Sequence, residues 1–243
     1  MKFITSVLTN IGGRNKNDDY AGYIYRDNSY GAWIVADGLG GHVNGEVASK
    51  IAVETALNSF QLNKSLSKTN IDSVINHANL DIINYQINCK ETNGMRTTIV
   101  SLFTDSKEVV WAHVGDSRLY FFNNGVIKFQ TRDHSVSQMA VSSGEISDDQ
   151  IRFHEDRNKL IRVLGSSPEL KVDILKNSVQ IKPGDAFLLC TDGFWELIYE
   201  TEMEIDLCKA NSPEEWIKFM RERLIKRAFG QHDNFTAIAI FVQ

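Results

Sequence analysis

Proline and cysteine are both scarce in this chain, three of each among 243 residues. With so few prolines, no Gly/Ser-rich or low-complexity stretch and no internal repeat, nothing marks a linker, and residues 1–243 read as a single domain. Cys89, Cys190 and Cys208 are odd in number, far apart and without a C-x-x-C pair. That excludes a disulfide framework and a zinc knuckle and favours a reducing compartment. Excess basic charge is lacking too: the net charge is −5, with Lys and Arg scattered along the chain, so there is no footprint for a nucleic acid. No long hydrophobic run occurs either. The N-terminal MKFITSVL turns polar at Thr9, too early for a signal h-region or a membrane span. The expectation is a soluble, cytoplasmic monomer with no nucleic-acid or membrane partner.

What is there is 42% apolar side chains, enough for a sizeable core. Short runs rich in Val, Ile and Phe, bounded by Asn, Gly or Asp, predict strands over 3–8, 22–25, 32–36, 98–103, 109–114, 119–122, 126–130, 186–190 and 236–242. The Asn123-Asn124-Gly125 turn links two of them as a hairpin. Helical periodicity appears over 46–60, with Val47, Ile51, Thr55 and Ala56 on one stripe, and over 71–87. A third helix starts at Ser212-Pro213-Glu214-Glu215, a capping box, and turns Trp216, Phe219, Met220 and Leu224 inward. Strands and helices come in blocks, which predicts an α+β fold of antiparallel sheets covered by helices.

Four aspartates sit where these apolar runs end or where a glycine turn begins: Asp37 in AWIVADGLGG, Asp116 in WAHVGDSR, Asp192 in FLLCTDGFWE and Asp233 in GQHDNFTAIAIFV. Ionised carboxylates beside a core are costly unless paired or bound to a cation. One Asp-Gly is an ordinary turn, but its recurrence as Asp37-Gly38 and Asp192-Gly193 after two apolar strands suggests a site in which the Asp carboxylate and the Gly38 carbonyl both reach a cation. Asp18 and Asp19, near Arg14, suit metal-held waters beside an anion. Oxygen donors alone, with no His or Cys pair at zinc spacing, point to Mg²⁺ or Mn²⁺.

Taken in order, R-x-x-N-D-D (14–19), VADGLGGH (35–42), GMRTT (94–98), AHVGDSRLY (112–120), TRDHS (131–135), LLCTDGFWE (188–196) and HDN (232–234) resemble the metal-dependent type 2C protein phosphatases, the PPM family, and NKLIRVLG (158–165) resembles the stretch after that family's flap. The resemblance spans nearly the whole chain. It implies a four-layer αββα sandwich, two packed antiparallel sheets flanked by helices. It also implies hydrolysis of phosphoserine and phosphothreonine on proteins by a water activated between two core Mn²⁺ or Mg²⁺ ions, with a third, weaker ion, in opposition to a bacterial Ser/Thr kinase. On this resemblance Asp37 bridges two ions, Asp192 and Asp233 complete the first shell, the Gly38 carbonyl serves the second, and Asp19 holds metal-bound water with Asp18 beside it. Asp116 and Asp192 match the pair for the third ion, and Arg14 the phosphate-binding arginine. DGFWE is similar to members linked to type VI secretion control.

The chain also departs from the pattern. Leu39 follows the first Asp-Gly where some eukaryotic relatives carry a histidine proposed as general acid, and His42 is expected only to shape the helix entry. Asp18 stands where Glu or Gln is usual, and Arg96 where the residue is usually small. Cys190 is expected in the core, not as a nucleophile. His134 and His154 are expected to make structural hydrogen bonds. The polar segment 142–156 matches the variable flap. A rival reading, a phosphatase-like binding module without turnover, is disfavoured by the retention of Asp37, Asp192 and Asp233.

Overall fold

The strand sequences are apolar almost without interruption because most strands are covered on both faces. In the computed structural model, which describes residues 1–39, 44–89 and 94–243, eleven strands form two sheets. His42, Gly40 and Gly41 of the 35–42 motif lie outside the described residues. One sheet runs in the order β1 (Phe3–Asn10), β11 (Phe235–Val242), β10 (Ala186–Cys190), β6 (Arg118–Asn123), β7 (Val126–Gln130). The other runs β2 (Asp19–Arg26), β3 (Tyr30–Asp37), β4 (Ile99–Thr104), β5 (Glu108–Val114), β8 (Asp173–Ile174), with the two-residue β9 (Val179–Gln180) also on β5. Every pairing among the described strands is antiparallel.

Side-chain size alternates with the pleat and sorts the layers. In β3, Ala32, Ile34 and Ala36 face α1 (Gly45–Leu62) and α2 (Lys68–Asn88), while Trp33 and Val35 face the other sheet. In β10 and β11, Leu188, Ala237 and Ala239 face α5 (Glu200–Lys209) and α6 (Pro213–Arg227), and Phe187, Leu189, Ile238 and Ile240 fill the space between the sheets. Small residues toward the helices let the helices sit close. The result is the αββα sandwich that the sequence implied.

Two helical faces differ from expectation. In α1 the fully buried stripe is Ala48, Ala52, Ala56 and Phe60 with Val53, whereas Val47, Ile51 and Thr55 are only partly covered. Val47, Ile51 and Thr55 mark the rim, because α1 approaches the sheet on its alanines, Val53 and Phe60. In α6, Ile217 is buried and Phe219 half-exposed, beside Trp216, Met220 and Leu224, which are buried as expected. Elements absent from the sequence reading are α3 (Val136–Ser143), a 3-10 helix over Asp148–Phe153, α4 (Asp192–Trp195), α5, β8 and β9. The 123–125 hairpin turn forms as predicted, with Asn124 and Gly125 at positive φ.

One buried amide ties the helical layer to the site end of the sheet. Asn79 on α2, fully buried, donates to the Ser167 carbonyl and accepts from the Gly165 amide, both at 2.8 Å. Leu164, next to Gly165, pairs in turn with Thr97. Asn79→Ala strands both partners. It is expected to cost about 2 kcal/mol and to lower Tm by roughly 4–8 °C, checked by urea and thermal unfolding; a change within error would show that water replaces the amide.

Candidate metal and phosphate site

Antiparallel pairing brings alternate strand ends to one edge of the sandwich. The C-terminal ends of β3, β5 and β10 lie there with the N-terminal ends of β2, β4 and β11. Asp37 ends β3 opposite Asp19 of β2; Asp116 follows β5; Asp192 follows β10; and Asp233 precedes β11. Asp37, Asp116, Asp192 and Asp233 line one cavity of ≈ 550 Å³ together with Arg14, Gly38 and Asp18. Asp19 does not line it. It lies behind the others, buried, accepting a 2.9 Å hydrogen bond from Thr191 Oγ1. A larger, mainly apolar groove of ≈ 690 Å³ lies at the opposite end of the sheets and lacks such a convergence of carboxylates.

The backbone that carries the aspartates is fixed by neutral side chains. Thr98 Oγ1 accepts from the Asp37 amide (3.0 Å) and meets Ser117 Oγ (2.7 Å), while Thr97 Oγ1 donates to the Asp37 carbonyl (2.8 Å). Asn234, buried, accepts from the Asp18 amide and donates to the Ile11 and Lys16 carbonyls at 2.7 to 2.8 Å, which fastens the loop bearing Arg14 to the start of β11. The two Asp-Gly glycines serve close approach, not a turn. Neither has positive φ, and a Cβ on Gly38 would sit 2.2 Å from the Gly45 carbonyl oxygen and one on Gly193 2.1 Å from that of Asn234. Of these supports, only the glycines were singled out in the sequence, and for a different reason. Asn234 was legible as part of HDN but gave no sign of its threefold clamp.

Asp18 has a local role as well. Its carboxylate accepts from the Glu46 amide in the first turn of α1, and its carbonyl accepts from Ser49 Oγ. Arg96 is half-buried, and its Nε finds no partner among the described residues. Cys190 is buried, with its thiol pushed far up by burial, which leaves it without nucleophilic character. His154 accepts from the Asp156 amide (3.1 Å).

Electrostatics distinguish this edge from the rest of the molecule. Burial raises the Asp37 carboxyl well above the usual range, and the charges of Asp192, Asp19 and Asp116 push it further. Asp116 is raised in the same way by burial and then by Asp192, and Asp192 by burial and then by Asp233. Asp19 is raised to about 8, first by burial. These are acids forced together without enough positive charge. Arg14 is the nearby cation, its Nη2 2.8 Å from Asp233 Oδ2, on the exposed rim. The donors are carboxylate oxygens and the Gly38 carbonyl around a space larger than one ion, the chemistry that suits hard divalent cations which keep waters. The residues fit such a group.

A second cluster does not. His113, His134 and Asp173 lie within 4.8 Å of one another through their ligand atoms. The Gly115 amide donates to His134 Nδ1 (3.1 Å), His134 Nε2 faces Asp173 at 3.2 Å, and the Arg162 guanidinium stands 3.0 Å from the same nitrogen. His113 Nε2 is engaged by the Arg132 carbonyl (2.8 Å). Both His134 nitrogens and His113 Nε2 are occupied, and a cation is already present. Burial and the neighbouring His113 lower His134 to about 4, so it stays neutral, as a structural histidine should.

A family model described as Protein phosphatase 2C matches residues 10–226. A serine/threonine phosphatase stp of Listeria monocytogenes is 33% identical over 233 residues, covering 93% of this chain and 90% of its own. The crystal structure of the serine/threonine phosphatase Stp1 from Staphylococcus aureus superposes with TM-score 0.88 at 28% identity, covering 100% of this chain and 96% of its own. The catalytic domain of the protein phosphatase PstP, in complex with two manganese ions, has the same fold (TM-score 0.82, 23% identity, 98% and 97% covered).

The raised carboxyls fix the sign of a pH effect. An acid whose folded pKa lies above its unfolded value contributes stability that is present below the unfolded pKa and lost as pH rises through the folded one. For Asp19 that window runs from 3.8 to about 8. The metal-free protein is therefore expected to lose stability through this cluster as pH rises from 5 to 8, and Mn²⁺ is expected to remove the slope. Differential scanning calorimetry with and without EDTA checks this; a metal-free Tm that is flat or rising up to pH 8 would contradict it.

Proposed function

Since this chain belongs to the protein phosphatase 2C family, we propose that it hydrolyses phosphoserine and phosphothreonine on proteins with the carboxylate edge as its active site. The observation that carries the reading is the convergence of Asp37, Asp116, Asp192 and Asp233 with Arg14 on one cavity. Asp37 would be the central ligand, Asp192 and Asp233 would hold one cation with it, the Gly38 carbonyl would serve a second, and Asp116 with Asp192 would take a third. Asp19 supports them from behind through the water they retain. Divalent cations, Mn²⁺ or Mg²⁺, supply positive charge over the phosphoryl group when bound and lower the pKa of an attacking water.

The chain's own residues provide the remainder. Arg14 turns from Asp233 to the substrate, where its planar guanidinium grips two phosphate oxygens and orients phosphorus for in-line attack. That turn would free the Asp233 carboxylate, now paired with Arg14, to hold a cation. Leu39 offers no proton, and with Cys190 inert the displaced alkoxide takes its proton from water rather than from a side chain at either position. Phosphorylated proteins are the substrates, among them a Ser/Thr kinase or its targets, met by a cytoplasmic monomer. Among the described residues no helix is long and apolar enough to cross a membrane. Within DGFWE, Phe194 and Trp195 are buried, and the phosphatase reading does not depend on a tie to type VI secretion control.

Hydrolysis of a phosphothreonine peptide and of p-nitrophenyl phosphate is expected only with Mn²⁺ or Mg²⁺ present. Asp192→Asn is expected to abolish it with the circular dichroism unchanged, and Arg14→Ala to raise KM about tenfold with a smaller effect on kcat. Metal-independent turnover, or near-normal turnover of the Asp192 variant, would sink the assignment.

A further inference from the structure

Trp195 ends the short helix that Asp192 opens, and it is buried to 2% exposure. Its indole is occupied on every side. Nε1 donates to the Asp116 carbonyl oxygen at 3.0 Å. The Arg118 guanidinium lies 3.4 Å from the ring centroid, and that of Arg152 lies 5.4 Å from it. Arg118 is held in place by Asp133 through two parallel hydrogen bonds, Nε to Oδ1 at 2.9 Å and Nη2 to Oδ2 at 2.8 Å. Arg152 comes from the 3-10 helix over Asp148–Phe153 and is paired with Glu200.

This arrangement adds a bond beyond the end of the β6–β10 ladder, whose last pair is Arg118 with Cys190 and past which Asp116 and Asp192 each lie by two residues. Asp192 is fixed to Trp195 by one helical turn, Asp116 sits in the short link between β5 and β6, and the indole N–H bonds the two segments where the ladder has ended. A lone indole could swing away with the loop. One packed against a guanidinium that is itself clamped bidentately cannot, because cation–π attraction and the Arg118–Asp133 pair fix the ring plane.

We propose that Trp195 is a positioning residue that holds Asp116 against Asp192 beyond the end of the β6–β10 ladder, so that both carboxylates serve one cation. The inference rests on the reading of those two aspartates as a shared metal site. The energy at stake is that of one buried hydrogen bond, on the order of fivefold in affinity. The ring does not touch substrate; it acts through the Asp116 carbonyl alone.

Trp195→Phe keeps a ring against Arg118 and removes the N–H, so the protein is expected to remain folded. Mn²⁺ titration by isothermal calorimetry, without substrate, is expected to show the tighter binding steps unchanged and the weakest step weakened about fivefold. Asp116→Asn is expected to remove that same step, and the double variant to match Asp116→Asn rather than add to it. If Asp116→Asn removes the weakest step but Trp195→Phe leaves it unmoved, the positioning role is overturned and the metal-site reading stands. If Asp116→Asn itself leaves every step unmoved, the shared-site reading falls and the inference with it. Should Trp195→Phe lose cooperative unfolding, Arg118→Lys, which keeps the charge and loses the planar stack, supplies the same comparison.

Discussion

Mutual repulsion among buried carboxylates is the constraint on which the remainder of this structure depends. Asp37, Asp116, Asp192 and Asp19 stand close enough to raise one another's proton affinity, in a setting where burial already opposes their charge. A flexible scaffold would relieve that repulsion by moving them apart. Here Asp37, Asp116 and Asp192 are attached at or near the ends of strands covered on both faces by packed side chains, and the ladder opposite Asp37 places Asp19 there by register. The sandwich stores unfavourable electrostatics at one edge, which divalent cations held there, as proposed, would relieve. That is the physical link between the fold and metal-dependent phosphoester hydrolysis.

The support around the site is almost entirely uncharged. Thr97, Thr98, Ser117, Thr191 and Asn234 hold backbone and carboxylate positions through short hydrogen bonds without compensating the negative charge. Arginines that could compensate it are committed elsewhere: Arg118 to Asp133, Arg157 to Glu196, Arg162 to Asp173. Among the described residues, Arg14 is the arginine paired with a proposed ligand, and it is so from the solvent-facing rim of the cavity. Charge is thus left available for cations and substrate. The same economy explains why Glu196, beside the site, is raised to about 7 by burial and by Asp192 in spite of its arginine partner.

Much of this was legible in the sequence because the relevant signals are local. Unbroken apolar strands, the Asn124-Gly125 turn and the Ser212 cap follow from neighbouring residues, and the aspartates stand out because a charge at the end of such a strand needs a reason. Other features depended on contacts across the chain. The α1 stripe was misplaced toward Val47 and Ile51 because size suggested the core, whereas the helix lies on the sheet along Ala48, Ala52 and Ala56 with Val53 and Phe60. Gly38 and Gly193 looked like turn glycines, since nothing in an Asp-Gly pair tells of a backbone crossing 2.2 or 2.1 Å from a would-be Cβ. Asp18 as a partner of the α1 amide, Asn234 as a clamp and Trp195 between two guanidiniums join residues tens to hundreds of positions apart. No periodicity records such pairings.

The central claim is that the Asp37, Asp192 and Asp233 edge is a divalent-cation centre. It is tested most directly by crystals grown with Mn²⁺ and measured at the manganese absorption edge. The account predicts at least two anomalous peaks in the cavity, each about 2.0–2.6 Å from carboxylate or Gly38 carbonyl oxygens, with Asp37 contacting both. No peak there, or manganese bound at His113, His134 and Asp173 instead, would contradict it.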